Sequence, residues 1–276
     1  VSAVTATTDR GSAPPVVCLD LDGVIWRGAE PIAPAIDGVA RLRAAGLRVA
    51  FLSNNSAVPV GDVVAKLRSM GVAAEVDEVL TSALAAAHLL AGALAAGAPV
   101  LVCGGPGLHE AVTDAGLTVV DHAPADAVVV GLTRDFDYGV LTEASAAIRS
   151  GARFVATNLD ATYPVPGGMI PGAGAIVAAV ATAADARPEV AGKPGRPIAE
   201  LVRERFGDRG VMVGDRPSTD GAMAATLGWP FALVLSGVTA AVAPPGGEAI
   251  PDPAPPFVAA DLGVLVEPLV ASLLHA

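Results

Sequence analysis

Four short stretches carry groups that could work on one another: Asp20-Leu21-Asp22-Gly23, Ser53-Asn54-Asn55-Ser56, Gly192-Lys193-Pro194 and Asp215-Arg216-Pro217-Ser218-Thr219-Asp220. Three of them follow apolar runs of strand type (VVCL, VAFL and VMVG), and the lysine precedes an amphipathic segment. Ligands in open parallel sheets gather at the carboxyl ends of strands. Acids, a lysine and small hydroxyl and amide groups are therefore expected on one sheet edge. The chemistry this suits is phosphoryl transfer. A phosphate monoester is a dianion that carboxylates alone would repel, whereas Mg²⁺ takes oxygen ligands from one or two carboxylates, waters and phosphate. Asp20 and Asp215 could hold such an ion, with a backbone carbonyl near Asp22 as a third ligand. One carboxylate is then free to attack phosphorus. The other can protonate the leaving alcohol and later activate water. On a regular strand Asp20 and Asp22 would face the same side. Ser53 and nearby backbone N–H groups can cradle phosphate oxygens, and Lys193 can supply a fixed positive charge.

Each stretch alone has a plainer reading. An Asp-x-Asp after a strand is common, Ser53-Asn54-Asn55 could be a turn or a helix N-cap, Lys193 could be solvated, and Asp220 could cap the short helix that follows it. Their order and shared placement at strand ends favour the chemical reading. The four histidines (88, 109, 122 and 275) have no metal-ligand spacing and read as surface or packing residues. No G-x-x-x-x-G-K-[ST] loop is present, and GGPG at 104–107 reads as a plain connection between a strand and a helix.

The elements that must position these groups alternate along the chain. Near-continuous apolar runs (VVCLD, LRVAFLSNN, APVLVCGG, DAVVVGL, RFVATN, GVMVGD and FALVLSG) alternate with alanine-rich amphipathic segments near 36–46, 60–71, 106–115, 138–150 and 198–207. Strands followed by helices, with strands apolar throughout, predict a parallel sheet covered on both faces. There are more strands than one compact open sheet usually holds. The chain is therefore divided into a core, residues 14–83 plus 188–276, and an inserted α/β module, residues 84–187. Residues 163–174, 192–197 and 244–256 read as loops, and 91–99 as low in complexity. Residues 1–13 lack the charged start and apolar stretch of a signal peptide and read as a flexible tail.

Composition sets the outer bounds. The chain has 276 residues, 53% of them hydrophobic, enough for a sizeable core. A net charge of −11 with no block of one sign argues against a nucleic-acid groove. Mean hydropathy is +0.57, but the uncharged stretch 161–184 is interrupted by prolines and glycines. What remains is shorter than the roughly 18 apolar residues a spanning helix needs, so no membrane partner is expected. Cys18 and Cys103 both lie in apolar runs and read as buried free thiols of a reducing cytoplasm.

Taken together, DLDGVIWRG, SNNS, TNLDATYPVPGGMIPGAGAI, VAGKPG, VGDRPSTD and LVLSGVT resemble the motifs of the haloacid-dehalogenase-like (HAD) phosphatase superfamily, specifically its NagD-like, class II capped branch. The resemblance runs from about Val16 to Val266. It implies an α/β fold, a Rossmann-like parallel-sheet core with an inserted C2-type α/β cap that closes over the cleft. It further implies that Asp20 is the nucleophile and Asp22 the general acid/base, and that Ser53 and Lys193, with Asn54 and Asn55 beside them, bind the phosphoryl group. Asp20, the Asp22 carbonyl and Asp215 would ligate Mg²⁺, with Asp220 holding its waters. The loop from Asn158 to Gly174 matches the cap's substrate loop, and Tyr163 falls where the branch contacts the leaving group. Pro217, Ser218 and Gly221 depart from the branch's usual pattern, and Ala57 and Val58 stand where a basic residue is often found.

The implied activity is a Mg²⁺-dependent phosphatase for a small phosphorylated metabolite, with glycerol 3-phosphate the expected substrate. Pyridoxal 5′-phosphate, 2-phosphoglycolate, nucleoside monophosphates and 4-nitrophenyl phosphate are the alternatives. A non-catalytic phosphate-binding or regulatory module is the alternative of another class, and would be favoured by a missing nucleophile. A dehalogenase would not need Asp22. Capped relatives are often dimers through the cap, so a homodimer is admitted.

Overall fold

The computed structural model describes residues 13–165, 168–240 and 247–274. The tail expected over 1–13 lies, except for Ala13, outside the described residues, as does His275. The apolar run at the start becomes β1 (Val16–Asp20), buried on both faces. A small hairpin of β2 (Trp26–Arg27) and β3 (Glu30–Pro31) follows, then α1 (Ala33–Ala44). Pro34 sits in the first turn of α1, where its missing N–H costs nothing. The chain continues through β4 (Arg48–Ser53), α2 (Val60–Ser69), β5 (Val79–Thr81) and α3 (Ser82–Ala93). The next group is β6 (Pro99–Cys103), α4 (Pro106–Asp114), β7 (Thr118–Val120), β8 (Ala127–Val130), α5 (Tyr138–Arg149) and β9 (Arg153–Ala156). It ends with the hairpin β10 (Thr162–Val165) and β11 (Gly168–Pro171), α6 (Ala173–Ala184) and β12 (Glu189–Val190). The last group is α7 (Arg196–Phe206), β13 (Gly210–Gly214), α8 (Ala222–Leu227), β14 (Phe231–Val234), β15 (Thr239–Ala240), β16 (Glu248–Ala249), β17 (Phe257–Ala259) and α9 (Leu262–Leu274).

Two parallel sheets result. The first has six strands in the order β17-β14-β13-β1-β4-β5, and the second five in the order β12-β9-β8-β6-β7. In the first sheet the order reverses at β1, which pairs with β4 on one side and β13 on the other. That reversal opens a crevice at the carboxyl end of β1. Asp20 pairs with Leu52, so Ser53 lies one residue beyond it on the neighbouring strand.

Alternation along β1 divides the core. Val17 and Leu19 join Leu42, Phe51, Leu67 and Leu269 under α1, α2 and α9. Val16 and Cys18 join Leu52, Leu80 and Met212 on the other face. That second cluster runs on through Leu90 of α3 into Val100, Leu108 and Val129, so one apolar core serves both sheets. A third cluster, with Val128, Phe154 and Val177, fills the far side of the second sheet.

The structure differs from the sequence-based expectation in four places. β1 stops at Asp20, and Asp22 lies in the turn beyond it, so the two carboxylates do not share a regular strand face. The stretch 163–174 is not all loop, because it holds the antiparallel pair β10–β11. Its prolines are tolerated because a two-stranded ribbon has edges on both sides, where an absent N–H breaks no ladder. Residues 91–93 complete α3, whose Ala83, Ala85, Ala86, Ala87 and Leu90 are buried. Finally, β12 pairs with β9, so the second sheet continues past residue 187.

Candidate active site

Asp20 closes β1 and points into the crevice. Its Oδ1 accepts a hydrogen bond from Lys193 Nζ at 2.5 Å, and the same ammonium reaches Asp220 Oδ1 at 2.7 Å. The lysine is 3% and Asp220 1% exposed, so this is a buried ion network rather than a surface pair. Asp215 follows β13, and the ligand atoms of Asp20, Asp215 and Asp220 lie within 4.8 Å of one another. Three carboxylates thus face one ammonium. Burial pushes the Asp20 carboxyl well above its ordinary value, with Asp220 and Asp215 adding to the rise and Lys193 opposing it. Burial likewise pushes Asp215 up to about 6, helped by Asp220. Burial works against the charge of Lys193, but Asp20 and Asp220 outweigh it and raise its pKa.

Close backbone approach makes room for this cluster. Gly23 has φ +82°, and a Cβ there would stand 2.4 Å from Asp215 Oδ2. A Cβ on Gly237 would stand 1.8 Å from the same oxygen, which accepts the Val238 N–H at 2.7 Å. Only glycine fits at either position. Asp220 Oδ2 accepts from the Arg216 N–H at 3.1 Å within the turn Pro217–Gly221, so the departures at Pro217, Ser218 and Gly221 leave its carboxylate aimed at Lys193.

Asp22 is held from the hairpin. Trp26 Nε1 donates to its Oδ1 at 3.0 Å, and Lys66 Nζ lies 3.8 Å from the centre of a Trp26 ring. Burial raises the Asp22 pKa, and the Trp26 hydrogen bond limits the rise. Arg27 Nε donates to the Ser236 carbonyl at 2.5 Å, while Ser236 Oγ donates to the Gly23 carbonyl at 2.7 Å. These contacts bind the turn after β1 to the loop after β14.

The second sheet supplies the opposite wall. Ser53, Asn54 and Asn55 meet Leu132, Asp160, Thr162, Tyr163 and Ala173 across a cleft of about 240 Å³. Asn55 Nδ2 donates to Tyr163 Oη at 3.3 Å. Burial raises the Tyr163 pKa, and Asp22 adds to it. Asn158 is buried and donates to the Asn54 carbonyl at 2.7 Å. GGPG brings the two modules together: the Gly107 N–H donates to the Ala57 carbonyl at 3.0 Å, and a Cβ on Gly107 would stand 2.3 Å from the Val58 carbonyl oxygen. That close approach is more than a plain connection requires.

The chain is similar to known proteins over most of its length. Residues 17–118 match the family model of haloacid dehalogenase-like hydrolases, and residues 190–265 match a second, HAD-hydrolase-like model. The acid sugar phosphatase of Staphylococcus saprophyticus is 38% identical over 205 residues, which are 73% of this chain and 79% of that protein. The chain belongs to the haloacid dehalogenase-like hydrolases. The D-glycerol 3-phosphate phosphatase of Mycobacterium tuberculosis is 40% identical to this hydrolase over 227 residues, or 81% of the chain. The match spans 63% of the length of that relative. A crystal structure of glycerol phosphate phosphatase from Mycobacterium tuberculosis in complex with magnesium superposes with a TM-score of 0.80. Identity there is 37%, covering 90% of this chain and 76% of that one.

The hydrolase's own residues fit such an ion. Its cluster offers oxygen donors only, which suits a hard divalent cation. The Val238 N–H takes one oxygen of Asp215, and among the described residues the other makes no hydrogen bond. Asp20, Asp215 and the backbone near Asp22 would hold Mg²⁺, with Asp220 beside it. All the residues expected from the sequence reach the cleft, but Asn54 arrives with its amide already engaged by Lys193 and Asp160. Sequence reasoning missed Trp26, Arg27, Lys66 and Asp160. Trp26 and Arg27 stand in the DLDGVIWRG stretch and Asp160 in TNLD, so motif membership was their only signal.

Proposed function

We propose that the chain is a Mg²⁺-dependent phosphatase that hydrolyses small phosphate monoesters through an aspartyl-phosphate. The observation that carries this reading is the Lys193 ammonium bridging Asp20 and Asp220 beside Asp215, at the floor of a closed-in cleft. Bound Mg²⁺ would offset the remaining carboxylate charge and draw electron density from the phosphoryl oxygens. Asp20 attacks phosphorus, forming an O–P bond as the bond to the leaving alcohol breaks. Asp22, whose raised pKa lets it hold a proton, gives that proton to the departing oxygen. A water then attacks the aspartyl-phosphate, Asp22 takes the water's proton, and the Asp20 O–P bond breaks to release phosphate. Ser53 and Lys193 hold the phosphoryl oxygens throughout, and closure of the second module excludes competing water.

The cleft supports glycerol 3-phosphate as substrate. About 240 Å³ is small beside the roughly 300–1,000 Å³ of typical ligand pockets. The wall facing the phosphate site offers hydroxyl partners for a short polyol in Thr162 and Tyr163. In the same reading residues 14–83 and 188–276 form the core and 84–187 the cap, with β12 extending the cap sheet to Val190. Exposed Tyr138, Leu159 and Met169 on the cap support a homodimer through that module, which sedimentation at a monomer's mass would remove. Two buried free cysteines support a cytoplasmic setting, and recovery of the protein from an extracellular fraction would argue against it.

The test is direct. With Mg²⁺ the protein should hydrolyse 4-nitrophenyl phosphate and glycerol 3-phosphate, and Asp20→Asn should lose at least about a thousandfold in kcat, as expected when a nucleophile is removed. Wild type and variant equally inert would leave only phosphate binding.

A further inference from the structure

Lys193 belongs to the charged floor of the first sheet, yet its backbone hangs from the second. After β12 the Ala191 N–H donates to the carbonyl of Ala156, the last residue of β9, at 2.9 Å, and the Gly192 N–H to the Thr157 carbonyl just beyond it at 2.8 Å. Lys193 is the next residue. A Cβ on Gly192 would stand 2.4 Å from the Thr157 carbonyl oxygen and 2.7 Å from Asn54 Oδ1, so the second sheet's backbone and a side chain of the first close on this residue together.

Asn54 grips this junction from the first sheet. Its Oδ1 accepts the Lys193 N–H at 2.8 Å, and its Nδ2 donates to the Lys193 carbonyl at 3.1 Å. The same nitrogen donates to Asp160 Oδ2 at 3.1 Å. A side-chain amide offers two N–H donors and one carbonyl acceptor, and these three bonds engage all of them. Asp160 itself is set rigidly in the second module. Its N–H donates to Asn158 Oδ1 at 3.0 Å, its carbonyl accepts the Gly174 N–H at 2.9 Å, and a Cβ on Gly172 would stand 2.3 Å from that carbonyl.

We propose that Asp160 is a positioning residue: seated with the second module, it orients the Asn54 amide, which in turn fixes the Lys193 backbone and so the ammonium against Asp20. Closure of the module over the substrate and readiness of the phosphate site are then one event. Without Asp160 the Asn54 amide has a free donor and can turn away from Lys193. The substrate phosphate would still enter, but the ammonium would not be held in register with Asp20. Small misplacements of this kind cost up to about a hundredfold in rate.

This inference rests on the phosphatase reading, and the experiment separates the two. Wild type, Asp160→Ala and Asp160→Asn are compared with Mg²⁺ on glycerol 3-phosphate and on 4-nitrophenyl phosphate, with thermal melts alongside. Asp160→Ala should lose about ten- to a hundredfold in kcat on both substrates by the same factor, with KM within about threefold. Asp160→Asn keeps an oxygen that accepts the Asn54 donor and should return kcat to within about threefold of wild type. A loss confined to glycerol 3-phosphate, or carried by KM alone, overturns the proposal and makes Asp160 a leaving-group contact. An Asp160→Asn variant as slow as Asp160→Ala but equally well folded also overturns it. Should Asp160→Ala fail to fold, normal kcat in Asp160→Asn together with a slow Asn54→Ala supports the coupling, and a fast Asn54→Ala refutes it. A wild type inert on both substrates overturns the phosphatase reading itself, and the proposal with it.

Discussion

Asp215 shows how one buried carboxyl can report on the whole site. Its pKa is pushed up to about 6, by burial and then by Asp220. A carboxyl that binds its proton more tightly in the fold than in the unfolded chain favours the fold at low pH, fully below its ordinary value near 3.8, and that contribution fades as pH rises through about 6. Asp20, raised in the same direction, adds to the effect. The metal-free protein should therefore gain from these groups as pH falls from neutrality towards about 5. Mg²⁺ needs the carboxylates charged, so its effect must have the opposite dependence. The rise in Tm caused by Mg²⁺ should be large near neutral pH and shrink below about pH 6. A Mg²⁺-induced shift in differential scanning fluorimetry that is the same at both pH values would contradict the ligand assignment. At this scale much was legible beforehand: Asp20, Asp22, Ser53, Lys193 and Asp215 are all in the cleft. Apolar strand-type runs place Asp20, Ser53 and Asp215 at or just past strand ends, where a local pattern suffices, with Asp22 in the turn that follows. Trp26 was not legible as the partner of Asp22, because the turn over 21–26, closed by the Gly23 N–H on the Trp26 carbonyl at 2.7 Å, is irregular and no strand or helix period describes it.

At the scale of elements, the loop after β14 matters as much as the strands. Gly237 and Val238 grip Asp215 from outside, and Ser236 ties the same loop to Gly23 and Arg27. Gly237→Ala would place a methyl 1.8 Å from Asp215 Oδ2, so the loop or the carboxylate must move. Groups that orient a metal ligand commonly change affinity by about 10–100-fold. Gly237→Ala should therefore need about tenfold more Mg²⁺ for half-maximal activity in a metal titration while folding normally; an unchanged titration would show that the loop can yield. The stretch that forms the β10–β11 hairpin reads as loop in the sequence because it is rich in proline and glycine. The turn chemistry was real, but in a ribbon without inner strands it does not exclude pairing.

Across the whole molecule, the two sheets share a core through α3. Leu90 is fully buried in a cluster that includes Leu80 and Met212 on one side and Val100 and Leu108 on the other. Leu90→Ala should cost about 2–5 kcal/mol. Because the cavity lies between both sheets, urea unfolding should show one transition moved to lower midpoint rather than loss of one module. Two separated transitions would mean that the modules fold independently. None of the described helices is long and apolar enough to cross a membrane. This matches the reading of 161–184, whose second half becomes α6.

By itself the sequence determined the alternation of strands and helices, the parallel sheets and the polar groups that cap their strands. Those follow from periodicity and turn residues within a few positions of one another. The tertiary structure alone decided that Lys193 is carried on the edge of the second sheet, that Asn54 spends its amide on the junction, and that Asp160 faces the cleft. Lys193 and Asp20 stand 173 residues apart, and Asn54 and Asp160 106 apart. Their meeting depends on strand register and on how two sheets pack around α3, and no local spacing encodes either.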